Sequence, residues 1–176
     1  MKLKIDYIED WSSGQCVNGE HGPNACLTDR YQLCAQHDSA LKTSEVWDFI
    51  HCNFQYQACL SYNKPTTGLP ATCTLEGVVS GCSKYTSYQG GFDAMKTCAT
   101  STASATWAAA SGNATAVVAG GHPLWLFVDG TKITDDSYGT DYWAQSVLKG
   151  ICSAAKTKGL KLPAPCQSST PLVTPL

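Results

Sequence analysis

Ten cysteines constrain this chain more than any other feature: Cys16, Cys26, Cys34, Cys52, Cys59, Cys73, Cys82, Cys98, Cys152 and Cys166. A reducing cytosol would leave so many thiols free or bound to metal. An even number spread along the whole chain reads as a disulfide framework built in an oxidising compartment. Ten cysteines allow on the order of a thousand pairings, so spacing alone leaves the connectivity open. Compact zinc sites favour ligands paired as Cys-x-x-Cys. The tightest pair here is Cys52 and Cys59, so neither a structural metal nor another cofactor is expected.

The rest of the composition bounds the partners. A chain of 176 residues that is 43% hydrophobic is long and apolar enough for one domain with a full core. The formal net charge is -2 and no Lys/Arg cluster stands out, so a nucleic-acid partner has no electrostatic basis. No stretch approaches the ~20 apolar residues of a membrane span. The opening MKLKIDYIED has neither the apolar run nor the small-residue cleavage site of a signal peptide. In a chain whose cysteines imply export, that leads to the expectation of a natural start upstream of Met1, or of a gene model that begins late.

Periodicity sketches the elements. Leu3, Ile5 and Tyr7 alternate with Lys4 and Asp6, the pattern of a half-buried strand. Residues 24–36 turn helical, with Cys26, Leu27, Tyr31, Leu33 and Cys34 as the apolar face. A second helix is predicted from an N-cap at Thr43 or Ser44 through Val46, Trp47, Phe49 and Ile50. Pro65, Gly68 and Pro70 mark a loop, and Val78 to Cys82 a short helical turn. Gly90-Gly91 opens a helix through Phe92, Met95 and Cys98, and a further helix covers Ser101 to Ala110. Leu124 to Val128 reads as a strand, Asp129-Gly130 as a turn, and Thr131 to Ile133 as its hairpin partner. Asp141 to Lys156 is a helix stopped by Gly159. The order strand, helices, strand, strand, helix predicts an α/β domain over 1–166, followed by a flexible Pro/Ser/Thr-rich tail over 167–176.

Several motifs resemble one family. Gly19 to Cys34 reads GEHGPNACLTDRYQLC, which is similar to the signature C-Q-H-G-x-x-E-C-x-x-N-x-x-x-x-C of the gamma-interferon-inducible lysosomal thiol reductases. His21, Gly22, Cys26 and Cys34 match in identity and spacing; Gly19, Glu20, Ala25 and Asp29 depart, and Cys16 lies three residues before the expected first cysteine. VWDFIHC at Val46 to Cys52, FDAMKTCA at Phe92 to Ala99, LWLFVDG at Leu124 to Gly130 and the closing Cys152 with Cys166 resemble further family segments.

The resemblance implies a disulfide-rich, thioredoxin-like fold with inserted helices, here without its first strand and first helix. It also implies reduction of disulfide-containing protein substrates in a lysosomal, endosomal or secretory compartment. That chemistry needs a Cys-x-x-Cys, one thiolate to attack and a second cysteine to resolve the mixed disulfide. No Cys-x-x-Cys occurs in this chain, so the resemblance places the motif before Met1 and leaves the catalytic residues unassigned. Pro123 is the candidate for the groove proline of such folds. Cys152 and Cys166 are implied as a pair, and a bridge closing that loop contributes about 3 kcal/mol in the chain-entropy model.

Cys26 and Cys34 stand eight apart on one predicted helix, ~12 Å along its axis, too far to bond to each other. They are expected to bond elsewhere, with Cys16 and the Cys52 or Cys59 region. His51 and Cys52 are neighbours on a helix and point ~100° apart, so they do not converge on one ion. Asn113-Ala114-Thr115 is the one glycosylation sequon, expected at the surface. The other reading of the whole chain is a non-catalytic, disulfide-stapled secreted binding or scaffold protein.

Overall fold

Apolar residues recurring three and four apart make one helix face, and residues 24–99 carry that pattern four times. The computed structural model describes residues 5–7, 24–56, 59–60, 74–119, 127–128, 131–132 and 140–167. Each of the four patterned runs in it is a helix. α1 (Ala25–His37) buries Tyr31, Cys34 and Ala35. α2 (Thr43–Gln55) buries Val46, Phe49, Ile50 and Asn53, and α3 (Leu75–Ser83) buries Leu75, Val78, Val79 and Cys82. α4 (Gly91–Ala99) buries Met95 and Ala99. These faces meet in one core, joined by the helical residues Cys59 and Leu60. Each fully enclosed Phe or Ile side chain contributes roughly 1.5–3 kcal/mol of burial. α5 (Thr102–Ala119) completes the helices of the first of two compact units, residues 1–121 and 122–176.

Local chemistry sets the helix ends. Thr74 caps α3 by accepting from Gly77 N–H at 3.0 Å. That cap lengthens the predicted turn into a helix of nine residues. Gly90 precedes α4 with φ +80, where a Cβ would come within 2.7 Å of Ala94 Cβ, so only glycine suits this entry. α2 begins after Lys42 and uses neither Thr43 nor Ser44 as its cap. Instead the Glu45 carboxylate reaches back to accept from Lys42 N–H and reaches across to accept from Ser87 N–H, both at 2.9 Å. One charge thus satisfies donors on two segments.

Two disulfides staple the first unit between helices. Cys34 on α1 joins Cys98 on α4, with Cα atoms 6.1 Å apart, and Cys52 on α2 joins Cys82 on α3 at 5.6 Å. Their sequence separations of 64 and 30 correspond to roughly 4 kcal/mol each in the chain-entropy model. In the second unit β1 (Phe127–Val128) pairs antiparallel with β2 (Thr131–Lys132), Phe127 opposite Lys132. α6 (Thr140–Thr157) follows. Gly159, at φ +63, ends it, and Leu160 N–H donates back to Ala155 O at 2.9 Å. Cys152 on α6 bonds to Cys166 in the short turn Ala164–Cys166.

The α/β, thioredoxin-like expectation is overturned. Among the described residues the architecture is helical, and the one sheet is a two-stranded hairpin. That hairpin lies where the strand, Asp-Gly turn and partner strand were predicted. Of the strand predicted at residues 3–7, the described part, Ile5 to Tyr7, belongs to no sheet. Alternation marks a segment with two unlike faces: Ile5 and Tyr7 are half-buried against helices, while Asp6 is exposed. The helix predicted to stop at Ala110 runs on to Ala119.

Candidate functional site

α5 is built mostly of small residues: its alanines favour a helix, while Ser, Thr, Gly and Asn disfavour one. The small side chains let α5 approach α1 closely. Ser104, Ala108 and Ser111 recur four and three apart and are all buried, Ala108 against Leu33 of α1. On α1 the Arg30 guanidinium donates to Ser104 Oγ at 3.0 Å and to Ser101 O at 2.5 Å, clasping the start of α5. Near the other end of α1, His37 stacks on Trp107 with ring centroids 4.0 Å apart and planes 3° from parallel.

Ile5 to Tyr7 lie along this α1–α5 seam. Ile5 N–H donates to Gln36 Oε1 at 2.7 Å, and Gln36 Nε2 donates to Ile5 O at 3.2 Å. Tyr7 N–H donates to Ser111 Oγ at 2.7 Å, and Thr115 Oγ1 donates to Tyr7 O at 3.1 Å. Ser111 Oγ donates in turn to Asp6 Oδ1 at 3.0 Å. Ile5 presents its N–H and C=O to one residue, Gln36 of α1, and Tyr7 presents its own to two residues of one helix, Ser111 and Thr115 of α5, much as a strand residue does to a partner strand. Side chains of two helices therefore take the place of a partner strand.

The Tyr7 hydroxyl donates to Gln32 Oε1 at 2.7 Å and lies 3.2 Å from the donating Gln36 Nε2. Burial, and then the Asp29 charge, push this phenol well above its ordinary value. Tyr7 stays neutral and keeps its proton for Gln32. The sequence did not single out Gln32, Gln36 or Ser111, and marked Thr115 only as the end of the sequon. The available signal was a pair of glutamines four apart on an apolar helix face, matched by hydroxyl residues four apart on a helix without charges.

The cysteines offer no nucleophile among the described residues, where none is free. Cys34 bonds to Cys98, which corrects the expectation of Cys16 or the Cys52 or Cys59 region as its partner. Cys52 bonds to Cys82, and Cys152 bonds to Cys166 as the resemblance implied. Cys26 and Cys59 are disulfide-bonded as well. Cys16, His21, Gly22, Cys73 and Pro123 lie outside the described residues. No group of three or more His, Cys, Asp or Glu side chains is placed to hold a metal ion among the described residues. Disulfides of this number are compatible with an extracellular or secretory protein. No described helix is long and apolar enough to cross a membrane.

Three other features stand outside the seam. His51 is exposed against Trp47 on the outer face of α2, while Cys52 points into the core, so the two diverge as helix geometry requires. Trp47 and Phe54, each 49% exposed, continue that outer stripe. Asn53 is fully buried, and among the described residues neither its Nδ2 nor its Oδ1 has a hydrogen-bond partner. Asn113 is exposed, but on helix α5 and not in a loop, and the Thr115 hydroxyl of its sequon bonds Tyr7 O and Ser111 O.

No family model, no curated protein and no solved structure matches this chain. The seam's chemistry is that of paired donors and acceptors spaced for a peptide backbone.

Proposed function

We propose that this chain is a non-catalytic, disulfide-stapled interaction module of an oxidising extracellular or secretory compartment. The observation that carries this reading is the state of the sulfurs. Every described cysteine is spent in a disulfide, and no two cysteines anywhere in the sequence stand in a Cys-x-x-Cys. Thiol exchange needs an accessible thiolate and a resolving thiol beside it. Staples between helices instead hold a small framework rigid outside the cell. On this reading the exposed Asn113 carries a glycan.

The thiol reductase activity implied by the family resemblance is the second reading, favoured by the Cys152–Cys166 bridge that the resemblance implied. One experiment separates the two. Thiol titration of the purified, unreduced chain in denaturant is expected to find no free thiol, and insulin reduction is expected to stay at the uncatalysed rate. A reactive thiol together with turnover of insulin disulfides would replace the module reading by the reductase.

A further inference from the structure

The seam between α1 and α5 binds a peptide segment in the way a receptor binds an extended ligand. Gln36 uses both ends of its amide on the backbone of Ile5. Ser111 and Thr115 take the N–H and the C=O of Tyr7. These four bonds read backbone and are indifferent to sequence. Selectivity comes from side chains. Ile5 packs against the apolar core, the Asp6 carboxylate accepts from Ser111, and the Tyr7 hydroxyl is held by Gln32 and Gln36. The Tyr7 ring lies in the small cluster of Leu33 and Ala108.

The contrast with the other contacts in this unit is physical. α1 is joined to α4, and α2 to α3, by covalent bridges. Residues 5–7 contain no cysteine and are held by side-chain hydrogen bonds and the half-buried Ile5 and Tyr7. Such bonds exchange with water at small net cost, so opening this contact costs less than parting the helices that a disulfide joins.

We propose that the α1–α5 seam is a binding groove for an extended peptide of the pattern aliphatic–Asp–Tyr on a partner protein, with the chain's own Ile5-Asp6-Tyr7 as its resident occupant. This rests on the module reading and names the partner class of that module. A partner segment would displace residues 5–7 and inherit their hydrogen bonds. Its aliphatic residue would meet the core edge, its aspartate Ser111, and its tyrosine Gln32 and Gln36.

The test uses the full chain and a fluorescein-labelled peptide of sequence KLKIDYIE, followed by fluorescence anisotropy. Tyr7→Ala loosens the resident segment and is expected to bind the peptide at least about tenfold more tightly than the native chain. Adding Gln36→Ala to that variant is expected to abolish binding, and a peptide with alanine for both Asp and Tyr is expected not to bind. An absence of binding to Tyr7→Ala, in a variant with the native circular dichroism and melt, overturns the proposal.

Should Tyr7→Ala lose its cooperative melt, amide hydrogen exchange on the native chain decides. Ile5 and Tyr7 amides exchanging at least about tenfold faster than the core amides of α1 and α5 support a segment that opens locally. Equal protection overturns the proposal. A dimer of the native chain in ultracentrifugation that Tyr7→Ala abolishes would give the groove to a second copy of this chain and overturn the partner reading. Failure of the peptide arm with no free thiol removes the groove and leaves the module reading standing; insulin turnover removes the module reading whatever the peptide does.

Discussion

The α2–α3 side and the α1–α5 side of the first unit hold helices together by different means. Between α2 and α3 the contact is apolar and covalent: Val46, Phe49 and Ile50 meet Val78 and Val79, and Cys52 bonds to Cys82. Between α1 and α5 it is small and polar: Ser104, Ala108 and Ser111 lie against α1, with Arg30, Gln32 and Gln36 bonded into the seam and residues 5–7. Apolar burial is non-directional and fills space, so it tolerates no opening without the loss of whole side chains. Hydrogen bonds are directional and exchangeable, so a polar seam can select a sequence and still let it go. One side of the unit is built to persist; in our proposal the other recognises a peptide.

The largest expected effect lies on the persistent side. Phe49→Ala removes a fully buried ring and should destabilise the unit by about 3–5 kcal/mol in a denaturant melt with the disulfides intact. A cost near that of a surface substitution would erase the distinction between the two sides. On the polar side, Tyr7→Phe deletes one hydroxyl and leaves Gln32 without its donor; the expected cost is about 1–2 kcal/mol. Its pH dependence sharpens the point. The phenol is raised well above 10.0 in the folded state, so its contribution is intact below the unfolded value and lost as pH rises through the folded one. Native protein should therefore lose stability more steeply than Tyr7→Phe in an alkaline series of melts.

Asn53 is the polar exception on the apolar side, buried seven residues after Val46 on the same helix face with neither amide atom paired among the described residues. Asn53→Leu is expected to raise stability by about 1 kcal/mol, because it removes an uncompensated desolvation at similar volume. A destabilised Asn53→Leu would show that the amide serves the core. The smallest effect is at Glu45. Hydrogen bonds from Ser87, first from its side chain, and from Lys42 N–H hold this carboxyl below its ordinary value. A depressed carboxyl stabilises above its unfolded pKa and loses that contribution as pH falls through the folded one. The melting temperatures of native protein and Glu45→Gln should differ at neutral pH and converge in acid.

Where residues read as one face of a helix, they were legible. Tyr31 and Cys34, then Phe49 and Ile50, then Met95, all face the core as their spacing implied. The hairpin and the stop at Gly159 were legible too, because turn chemistry is local. The seam was not. Gln32, 3% exposed, and Ser104, fully buried, look like surface residues in a sequence, since polar side chains are buried only where partners await them. The length of α5 was illegible because Gly112 and Asn113 argue against a helix locally, while the alanines around them and the contact with α1 carry it on.

The sequence by itself determined an oxidised, cysteine-stapled chain with helices around 24–36, 43–50, 92–98 and 141–156 and a hairpin near residues 127–132, but its strand-helix order pointed to the wrong, α/β, class. Tertiary structure alone decided which sulfurs pair between helices, and that Ile5 to Tyr7 rest against glutamines and hydroxyls and join no sheet. Helix faces and turns are written in residues a few positions apart. A disulfide or a groove is decided by which distant side chains the packed core brings within bonding distance.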